Sequence, residues 1–282
     1  MKLALGTVQW GMPYGVLQHD QPACEDIAEI LSQADKARVS LLDTAPDYGN
    51  SERVLGRLSE AKSFRLITKV PPLKTREQAR TIFEKSLVNL NVNSLYGLLL
   101  HRGQDLLGQS GEALFAWLQS LKAEGRVKKI GVSVYTGEEV DAIFSRYALD
   151  LVQLPLNAFD QRLVKGGQLA RLQEQGVEIH ARSVFLQGVL LSPQLPQPLQ
   201  IFESHLDYWR AQVKACGCTP LEMALSFVRS QPMVDKIVCG VHSVAQFKAL
   251  LEAFSKPIVK TDYEAFSLSD TRLLNPANWP LV

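Results

Sequence analysis

Three successive apolar runs of the sequence end in side chains that can hold or move a proton. The first run ends at Asp43 and leads into a turn that carries Tyr48, the second ends at Lys69, and the third ends at His101. The carboxyl ends of the strands in a parallel barrel meet on one face, where the active sites of such barrels lie. We therefore expect these four residues to form one site.

General acid catalysis is the chemistry that fits this set of side chains. A free tyrosine has a pKa of about 10, and the ammonium group of Lys69 is expected to lower the pKa of Tyr48 because it favours the phenolate. Asp43 would keep Lys69 charged, and His101 would orient a substrate oxygen or pass a proton. Tyr48 could then protonate an oxygen on which negative charge develops. No nucleophile with an adjacent base indicates acyl transfer, and no metal site is indicated because the other histidines are scattered, at His19, His180, His205 and His242.

The elements that would position this site alternate regularly along the chain. Short apolar runs are followed by longer segments with helical periodicity, which is typical of βα units around a parallel sheet. Many runs are uniformly apolar, as expected for strands buried on both faces. The predicted strands are 3–7, 39–43, 64–69, 95–101, 129–133, 151–155, 177–182 and 236–239. The predicted helices are 25–37, 51–58, 76–90, 111–124, 138–147, 166–175, 201–215, 220–229 and 243–254.

Eight strand and helix pairs predict a single α/β domain over residues 1–282, a closed (β/α)₈ TIM barrel, with one of the helices 201–215 and 220–229 as an addition. An open doubly wound sheet is the alternative. The G-x-G-x-x-G of a dinucleotide-binding turn is absent, since Gly6, Gly11 and Gly15 are too widely spaced. Residues 192–199 contain three prolines and are predicted to form a loop.

The composition indicates a globular protein and excludes several other classes. Hydrophobic residues make up 46% and charged residues 21% of the 282 positions, and the formal net charge is +1. This balance argues against a disordered or fibrous chain and shows no basic excess for binding nucleic acid. No apolar stretch is long enough to span a membrane and no signal peptide is recognisable, so a cytoplasmic location is expected. The cysteines are expected to be reduced and in or near the core, and they are Cys24, Cys216, Cys218 and Cys239.

Four motifs in order along the chain resemble those of the aldo-keto reductases. They are DTAPDYGNSE at 43–52, ITKV at 67–70, LLLHR at 98–102 and GVSVY at 131–135. The resemblance extends over nearly the whole chain and implies a (β/α)₈ barrel that reduces carbonyl groups with NADPH and without a metal. It implies that Tyr48 is the general acid, that Lys69 and Asp43 lower its pKa, and that His101 helps to place the carbonyl.

The resemblance also implies a set of cofactor contacts, with three departures from the family pattern. Val134 stands where the family usually has Asn. Arg182 stands where an aromatic residue often stacks on the nicotinamide, so its guanidinium either stacks there or binds a carboxylate or phosphate of the ligand. His242 replaces the usual Arg of the 2′-phosphate site. The implied cofactor-binding residues are Gly6, Thr7, Asp43, Ser133, Gln153, Arg182, Ser183, Gly188, Gly240, His242, Ser243 and Gln246.

Cofactor preference depends on Ser243, which either binds the 2′-phosphate at a helix N-terminus or only caps that helix. We expect NADP(H), with NAD(H) as the alternative. The predicted substrate-binding residues are Trp10, Asp47, Tyr48, His101 and Arg102. Asp47 would suit hydroxylated substrates, and Arg102 together with Arg182 would suit an anionic group. The opening GTVQWGMPYG resembles a subgroup linked to sugar and surface-polysaccharide pathways.

Two other functions are compatible with the same barrel. Lys69 could form a Schiff base in a lyase, which requires a neutral lysine, and Asp43 argues against that. The chain could also be a non-catalytic cofactor-binding subunit, although all four implied catalytic residues are present. The expected partner is a small carbonyl or alcohol substrate, and the sequence leaves the oligomeric state open.

Overall fold

Eight parallel strands close into one barrel in the computed structural model of the chain, which describes residues 1–16, 20–72 and 75–279. The strands are β1 (Leu3–Gly6), β2 (Leu41–Asp43), β3 (Arg65–Val70), β4 (Leu95–Leu100), β5 (Val127–Ser133), β6 (Leu151–Pro155), β7 (Glu178–Arg182) and β8 (Lys236–Gly240). Each strand pairs with the next one along the chain, and β8 pairs with β1. The predicted (β/α)₈ barrel is therefore confirmed, and the open sheet is excluded.

Helices flank the strands at the predicted places. They are α1 (Cys24–Lys36), α2 (Ser51–Arg57), α3 (Arg76–Leu90), α4 (Gly111–Ala123), α5 (Gly137–Phe144), α6 (Arg162–Lys165), α7 (Gln168–Glu174), α8 (Glu203–Ala215), α9 (Pro220–Arg229), α10 (Val244–Ser255) and α11 (Thr271–Leu274). The helix predicted over 166–175 begins later, at Gln168, because Gly167 takes a left-handed conformation with φ of 76°. The predicted loop over 192–199 runs into a 3-10 turn at Gln197–Phe202.

The side chains of the strands form two apolar layers. The larger layer packs between the strands and the helices. The smaller layer fills the barrel interior, and it consists of Ala4, Leu41, Ile67, Leu99, Leu151 and Val238. Burial on both faces explains why the runs are uniformly apolar.

A layer of polar side chains lies above the inner apolar layer, toward the carboxyl ends of the strands. Successive side chains of a strand point to opposite faces, so the residue two positions after an inner-layer residue also points into the barrel. Two positions after Leu41, Ile67 and Leu99 come Asp43, Lys69 and His101, and two positions after Leu151 comes Gln153. The closed register thus brings these polar side chains together above the inner layer.

The four cysteines are free thiols, but they are not all near the core. Cys239 is buried on β8, and Cys218 is partly buried. Cys24 and Cys216 are exposed, at the start of α1 and just after α8. The expectation of core thiols is therefore wrong for these two residues, which lie at helix ends where the chain faces solvent.

We found no helix among the described residues that is long and apolar enough to cross a membrane.

Native thiol labelling should distinguish the cysteines by their exposure. Cys24 and Cys216 should react rapidly with iodoacetamide in the folded protein, whereas Cys239 should react only after unfolding. Burial raises the pKa of the Cys239 thiol and so disfavours the reactive thiolate. Peptide mass spectrometry after timed labelling measures this order, and early labelling of Cys239 would contradict the buried position.

Candidate active site

A cavity of about 430 Å³ opens at the carboxyl ends of the strands. Residues from most of the strand ends contribute to its wall, as expected for the active site of such a barrel. They include Gly6, Thr7, Asp43, Asp47, Tyr48, His101, Ser133, Gln153, Arg182, Ser183 and Gly240. Thus three of the four residues predicted to act as catalysts share one cavity wall, and the fourth, Lys69, lies buried behind it.

The ammonium group of Lys69 binds three oxygen acceptors. It donates to Oδ2 of Asp43 at 2.7 Å, to the backbone carbonyl of Thr44 at 3.0 Å and to the hydroxyl oxygen of Tyr48 at 3.3 Å. An ammonium has three N–H donors, so this group is fully satisfied. Burial lowers the pKa of Lys69, and the Asp43 carboxylate opposes that shift. With its nitrogen enclosed by these acceptors, Lys69 is poorly placed for Schiff-base chemistry.

Asp43 is the second centre of this network. Its Oδ2 accepts from Lys69, and its Oδ1 accepts from the side-chain amide of Gln153 at 2.8 Å. The backbone carbonyl of Asp43 accepts from Thr7. The carboxylate of Asp43 therefore ties the end of β2 to β3 and β6, and its backbone carbonyl binds the residue after β1.

Close backbone packing holds the turn that carries Tyr48. A side chain on Gly11 would come within 1.9 Å of the Tyr48 carbonyl, and one on Gly49 would come within 2.2 Å of the Gly11 carbonyl. Gly49 also has φ of 58°, a conformation that favours glycine. Ser51 donates to the Thr7 hydroxyl at 2.7 Å. The turn after β2 is therefore locked against the turn after β1.

The pKa of Tyr48 does not follow the sequence-based expectation. Burial raises it above the ordinary value, and the nearby Asp43 carboxylate raises it further, while Arg182 acts in the opposite direction. The shift is therefore opposite to the expected lowering, because burial and the Asp43 carboxylate both favour the neutral phenol. Tyr48 is held in its protonated form, which is the form that can donate.

His101 is neutral in this site over most of the pH range. Burial lowers its pKa to about 4, and the charge of Lys69 acts in the same direction. Its Nδ1 lies 3.6 Å from Oδ2 of Asp47, and its ring meets that of Tyr48 edge to face with centroids 5.9 Å apart. A neutral imidazole beside Tyr48 can hydrogen-bond to a substrate oxygen without competing as a proton source.

Arg182 lies at the end of β7 and does not project freely into the cavity. Its guanidinium lies 4.1 Å from the centroid of the Tyr135 ring. It donates to the Ser133 hydroxyl at 3.3 Å, to the Ser183 hydroxyl at 3.2 Å and to the Val134 carbonyl at 3.0 Å. Stacking on Tyr135 thus takes up one face of the guanidinium.

A second cavity, of about 160 Å³, adjoins the first. The two share wall residues from the turns after β1, β7 and β8, namely Gln9, Tyr14, Phe185, Gln187 and Gly240. The second cavity continues toward α9 and α10, where Leu221, Val241 and Leu250 provide an apolar wall. Together the cavities form one groove that runs past the turns after β1, β7 and β8.

The donor and acceptor pattern of this groove fits a dinucleotide. The side-chain carbonyl of Gln9 is buried, lines both cavities and has no hydrogen-bond partner among the described residues. A side chain on Gly240 would come within 2.1 Å of this oxygen, so the glycine leaves room for the side chain of Gln9 in its present position. A ligand rich in hydroxyl groups can supply the missing donor, as the riboses of a nicotinamide dinucleotide would.

The turn after β7 has an unusual backbone at the junction of the cavities. Ser183, Leu186 and Gln187 have φ of 56°, 46° and 53°, which is uncommon for residues other than glycine. Such strain tends to gather at functional sites. Of the predicted cofactor residues here, Ser183 lines the first cavity and Gly188 lines the second.

The predicted phosphate site lies beside the second cavity. Ser243 caps α10, since its hydroxyl accepts from the backbone N–H of Gln246 at 3.2 Å. Gln246 lines the second cavity, whereas His242 and Ser243 are not part of either cavity wall. The structure thus shows the capping role of Ser243 and places it at the end of the groove.

Two predicted substrate residues lie elsewhere. Trp10 is fully buried, and its indole N–H donates to the carbonyl of Val241 at 2.8 Å, so it braces the core rather than lining the mouth. Arg102 is absent from both cavity walls and pairs with Asp105 at 2.5 Å. The expectation that these side chains line the cavity is wrong, because Trp10 is buried against the distant Val241 carbonyl and Arg102 pairs with Asp105 in its own turn.

Several wall residues escaped the sequence analysis. Tyr14, Tyr135 and Gln187 line the first cavity, as do Pro276 and Ala277 from the C-terminal segment. Tyr135 follows β5 in the GVSVY motif and could have been proposed from that position. The others come from connections whose path the sequence does not specify. Within the described residues, which do not include His19, no group of three His, Cys, Asp or Glu side chains could hold a metal.

The fold and the hydrogen-bonded cluster of Asp43, Tyr48 and Lys69 at the strand ends are compatible with a barrel enzyme. Residues 2–268 match the model of the aldo/keto reductase family. The chain belongs to this family, whose members are oxidoreductases that use nicotinamide cofactors. No curated protein matches the chain.

Solved structures of aldo-keto reductases have the same fold. The holo form of the aldo-keto reductase AKR11C1 from Bacillus halodurans superposes with a TM-score of 0.78 at 18% identity, covering 94% of this chain and 90% of that one. The glycerol dehydrogenase AKR11B4 from Gluconobacter oxydans gives a TM-score of 0.72 at 20% identity, covering 93% and 88%. At these identities the similarity establishes the fold alone.

The neutral state of His101 can be measured by NMR. We expect its Cε1 proton signal to titrate with a midpoint near pH 4, because burial lowers its pKa to about 4. The signal should therefore stay constant between pH 6 and 8, about where an ordinary histidine titrates. A His101→Gln variant identifies the signal by its loss, and a midpoint above about 6 would disprove the assigned environment.

Proposed function

We propose that this protein reduces an aldehyde or ketone with NADPH in the cytoplasm and that Tyr48 is the general acid. The observation that supports this most directly is the hydrogen bond from Lys69 to the Tyr48 hydroxyl oxygen. Because that oxygen accepts from Lys69, its own proton is free to be donated toward the cavity. A carbonyl oxygen bound there would receive the proton as negative charge develops on it.

The other residues prepare this donation. Asp43 and Lys69 form a buried pair that fixes the hydroxyl of Tyr48 without removing its proton. Neutral His101 can hydrogen-bond to the same carbonyl oxygen and so orient it. Asp47, whose side chain is about half exposed at the rim, suits hydroxyl groups of a polar or sugar-like substrate.

The nicotinamide cofactor would supply the hydride. Gly6, Thr7, Asp43, Ser133 and Gln153 line the cavity where its reactive end would lie. Gly188, Gly240 and Gln246 line the second cavity, where its other half would lie. The side-chain nitrogen of Gln153 already binds Asp43, so Gln153 presents its carbonyl oxygen to a carboxamide.

Removal of the Tyr48 hydroxyl tests the assignment of the acid. Tyr48→Phe keeps the ring and should leave the Kd for NADPH within about threefold. The kcat for a simple aldehyde should fall by about 10²–10⁴-fold, which is the usual contribution of general acid catalysis. Steady-state kinetics with saturating cofactor measures this effect.

A deuteride isotope effect supplies the control for that experiment. It shows whether the chemical step limits kcat in the wild-type protein. If chemistry is rate-limiting and Tyr48→Phe keeps more than about a tenth of the wild-type kcat, Tyr48 is not the acid.

Substitutions at Ser243 test the preference for NADPH. Ser243→Asp keeps a good helix cap but places a negative charge where the 2′-phosphate would bind. NADPH binding should weaken by at least about tenfold, as expected for losing a charge-assisted hydrogen bond, and NADH binding should change little. Ser243→Ala removes the cap and the donor together and serves as the comparison.

Fluorescence titration of the wild-type protein and both variants with each cofactor gives six dissociation constants. Thermal unfolding of each variant shows whether a loss of binding is only a loss of helix stability. Equal affinity of the wild-type protein for NADPH and NADH would mean that this end of the groove holds no phosphate site.

A further inference from the structure

Arg182 carries a charge that no acidic side chain compensates. The three groups that accept from it are the hydroxyls of Ser133 and Ser183 and the carbonyl of Val134, all of them neutral. It forms no ion pair with any carboxylate of the described residues. Burying a cation without a counter-charge is costly, and Arg182 is partly buried in the cavity wall. This position is therefore better suited to a ligand than to the stability of the protein.

The guanidinium of Arg182 is fixed in position, but not all of its N–H donors have an acceptor. The Tyr135 ring lies 4.1 Å below it, and the three hydrogen bonds to neutral acceptors fix its plane. A guanidinium has five N–H donors, so two remain for another partner. Two donors in one plane match the two oxygens of a carboxylate or of a phosphate.

The barrel fold sets the position of Arg182 relative to Tyr48, the proposed general acid. In the closed strand order, β7 stands opposite β3, which carries Lys69. Arg182, Tyr48 and His101 line the same cavity, and the charge of Arg182 lowers the pKa of both Tyr48 and His101. A substrate whose carbonyl bound at Tyr48 would therefore lie in the same cavity as the guanidinium of Arg182.

We propose that Arg182 recognises an oxyanionic group, a carboxylate or a phosphate, on the carbonyl substrate and so determines its specificity. The proposal rests on the proposed carbonyl reductase function. It assigns Arg182 to the substrate rather than to the cofactor. Arg102, which the sequence also suggested for an anionic group, does not share this role because Asp105 neutralises it outside the cavity.

Pairs of substrates that differ mainly in charge show how much the anionic group itself contributes to kcat/KM. The first pair is 4-carboxybenzaldehyde and 4-formylbenzamide, which differ in charge but hardly in size. The second pair is D-glyceraldehyde 3-phosphate and D-glyceraldehyde. For at least one pair, the wild-type kcat/KM should favour the anion by about ten- to a hundredfold, the range expected for a charge-assisted hydrogen bond. The pair that shows the preference identifies the oxyanion as carboxylate or phosphate.

Substitutions then assign the preference to one side chain. Arg182→Gln should bring the ratio of kcat/KM for the anion to that for its neutral partner to about one, and this ratio cancels any effect of the lost charge on Tyr48 and His101 that both substrates share. Arg182→Lys keeps the charge but loses the planar fork, so it should retain only part of the preference. Arg53→Gln is the matched control, since it removes the same charge from an exposed position on α2.

Three results would overturn the proposal. One is a wild-type preference near unity for both pairs. Another is an equal loss for anionic and neutral substrates in Arg182→Gln. The third is a tenfold weaker binding of NADPH by Arg182→Gln with unchanged substrate preference, which would assign Arg182 to the cofactor.

A binding measurement keeps this test apart from the reductase function. Calorimetry compares the affinity of the NADPH-loaded protein for 4-(hydroxymethyl)benzoate and 4-(hydroxymethyl)benzamide, and that of the phosphate pair glycerol 3-phosphate and glycerol, without any turnover. If no aldehyde is reduced but the anion still binds more tightly through Arg182, the function fails and the recognition stands. If aldehydes are reduced and neither anion is preferred in binding or turnover, the recognition fails and the function stands.

Discussion

The buried ion pair between Asp43 and Lys69 is the constraint on which the rest of the site depends. Both charges lie out of solvent, so each must be satisfied inside the protein. Lys69 meets this demand with Asp43, the Thr44 carbonyl and the Tyr48 hydroxyl, and Asp43 meets it with Lys69 and Gln153. Removing either partner of such a pair typically costs about 3–5 kcal/mol, because the other charge is left buried and unpaired. Folding and the proposed catalysis therefore depend on the same contacts.

This pair also explains why Tyr48 differs from the expectation based on its neighbours. A lysine beside a tyrosine lowers the pKa of the phenol only if its charge is not already balanced. Here Asp43 lies closer to the ammonium than Tyr48 does, at 2.7 Å against 3.3 Å, and burial of the phenol adds to the effect. In the proposed mechanism Lys69 therefore directs the hydroxyl, and the raised pKa of Tyr48 keeps that hydroxyl protonated at neutral pH.

The fold and the core of the site could be predicted from the sequence because both follow from periodicity. Strand alternation places Asp43, Lys69 and Gln153 on the inner face once Leu41, Ile67 and Leu151 are assigned to the core. Contacts between distant connections could not be predicted in this way. The indole of Trp10 donates to the carbonyl of Val241, which lies more than two hundred positions away in the sequence. The ring is therefore buried in the core and not at the cavity mouth, where the sequence analysis placed it. Cys24 and Cys216 were misassigned for a related reason, since composition does not distinguish a helix end that faces solvent from one that is covered.

The distribution of charge across the cavity depends on which charged side chains find an acidic partner nearby. Arg102 follows β4 and Arg182 is the last residue of β7, and the sequence suggested both for binding an anionic group. Arg102 finds Asp105 three residues later, within its own turn. The residues that follow Arg182 are Ser183, Val184 and Phe185, none of which can neutralise a cation. Arg102 is neutralised within its own turn and so stabilises that loop. Arg182 is not neutralised by its turn, so its charge acts on any ligand that enters the cavity. The same cavity wall also holds two carboxylates, but Asp43 is paired with Lys69 and Asp47 lies half exposed at the rim, so Arg182 is a cation of this wall that no acidic side chain compensates.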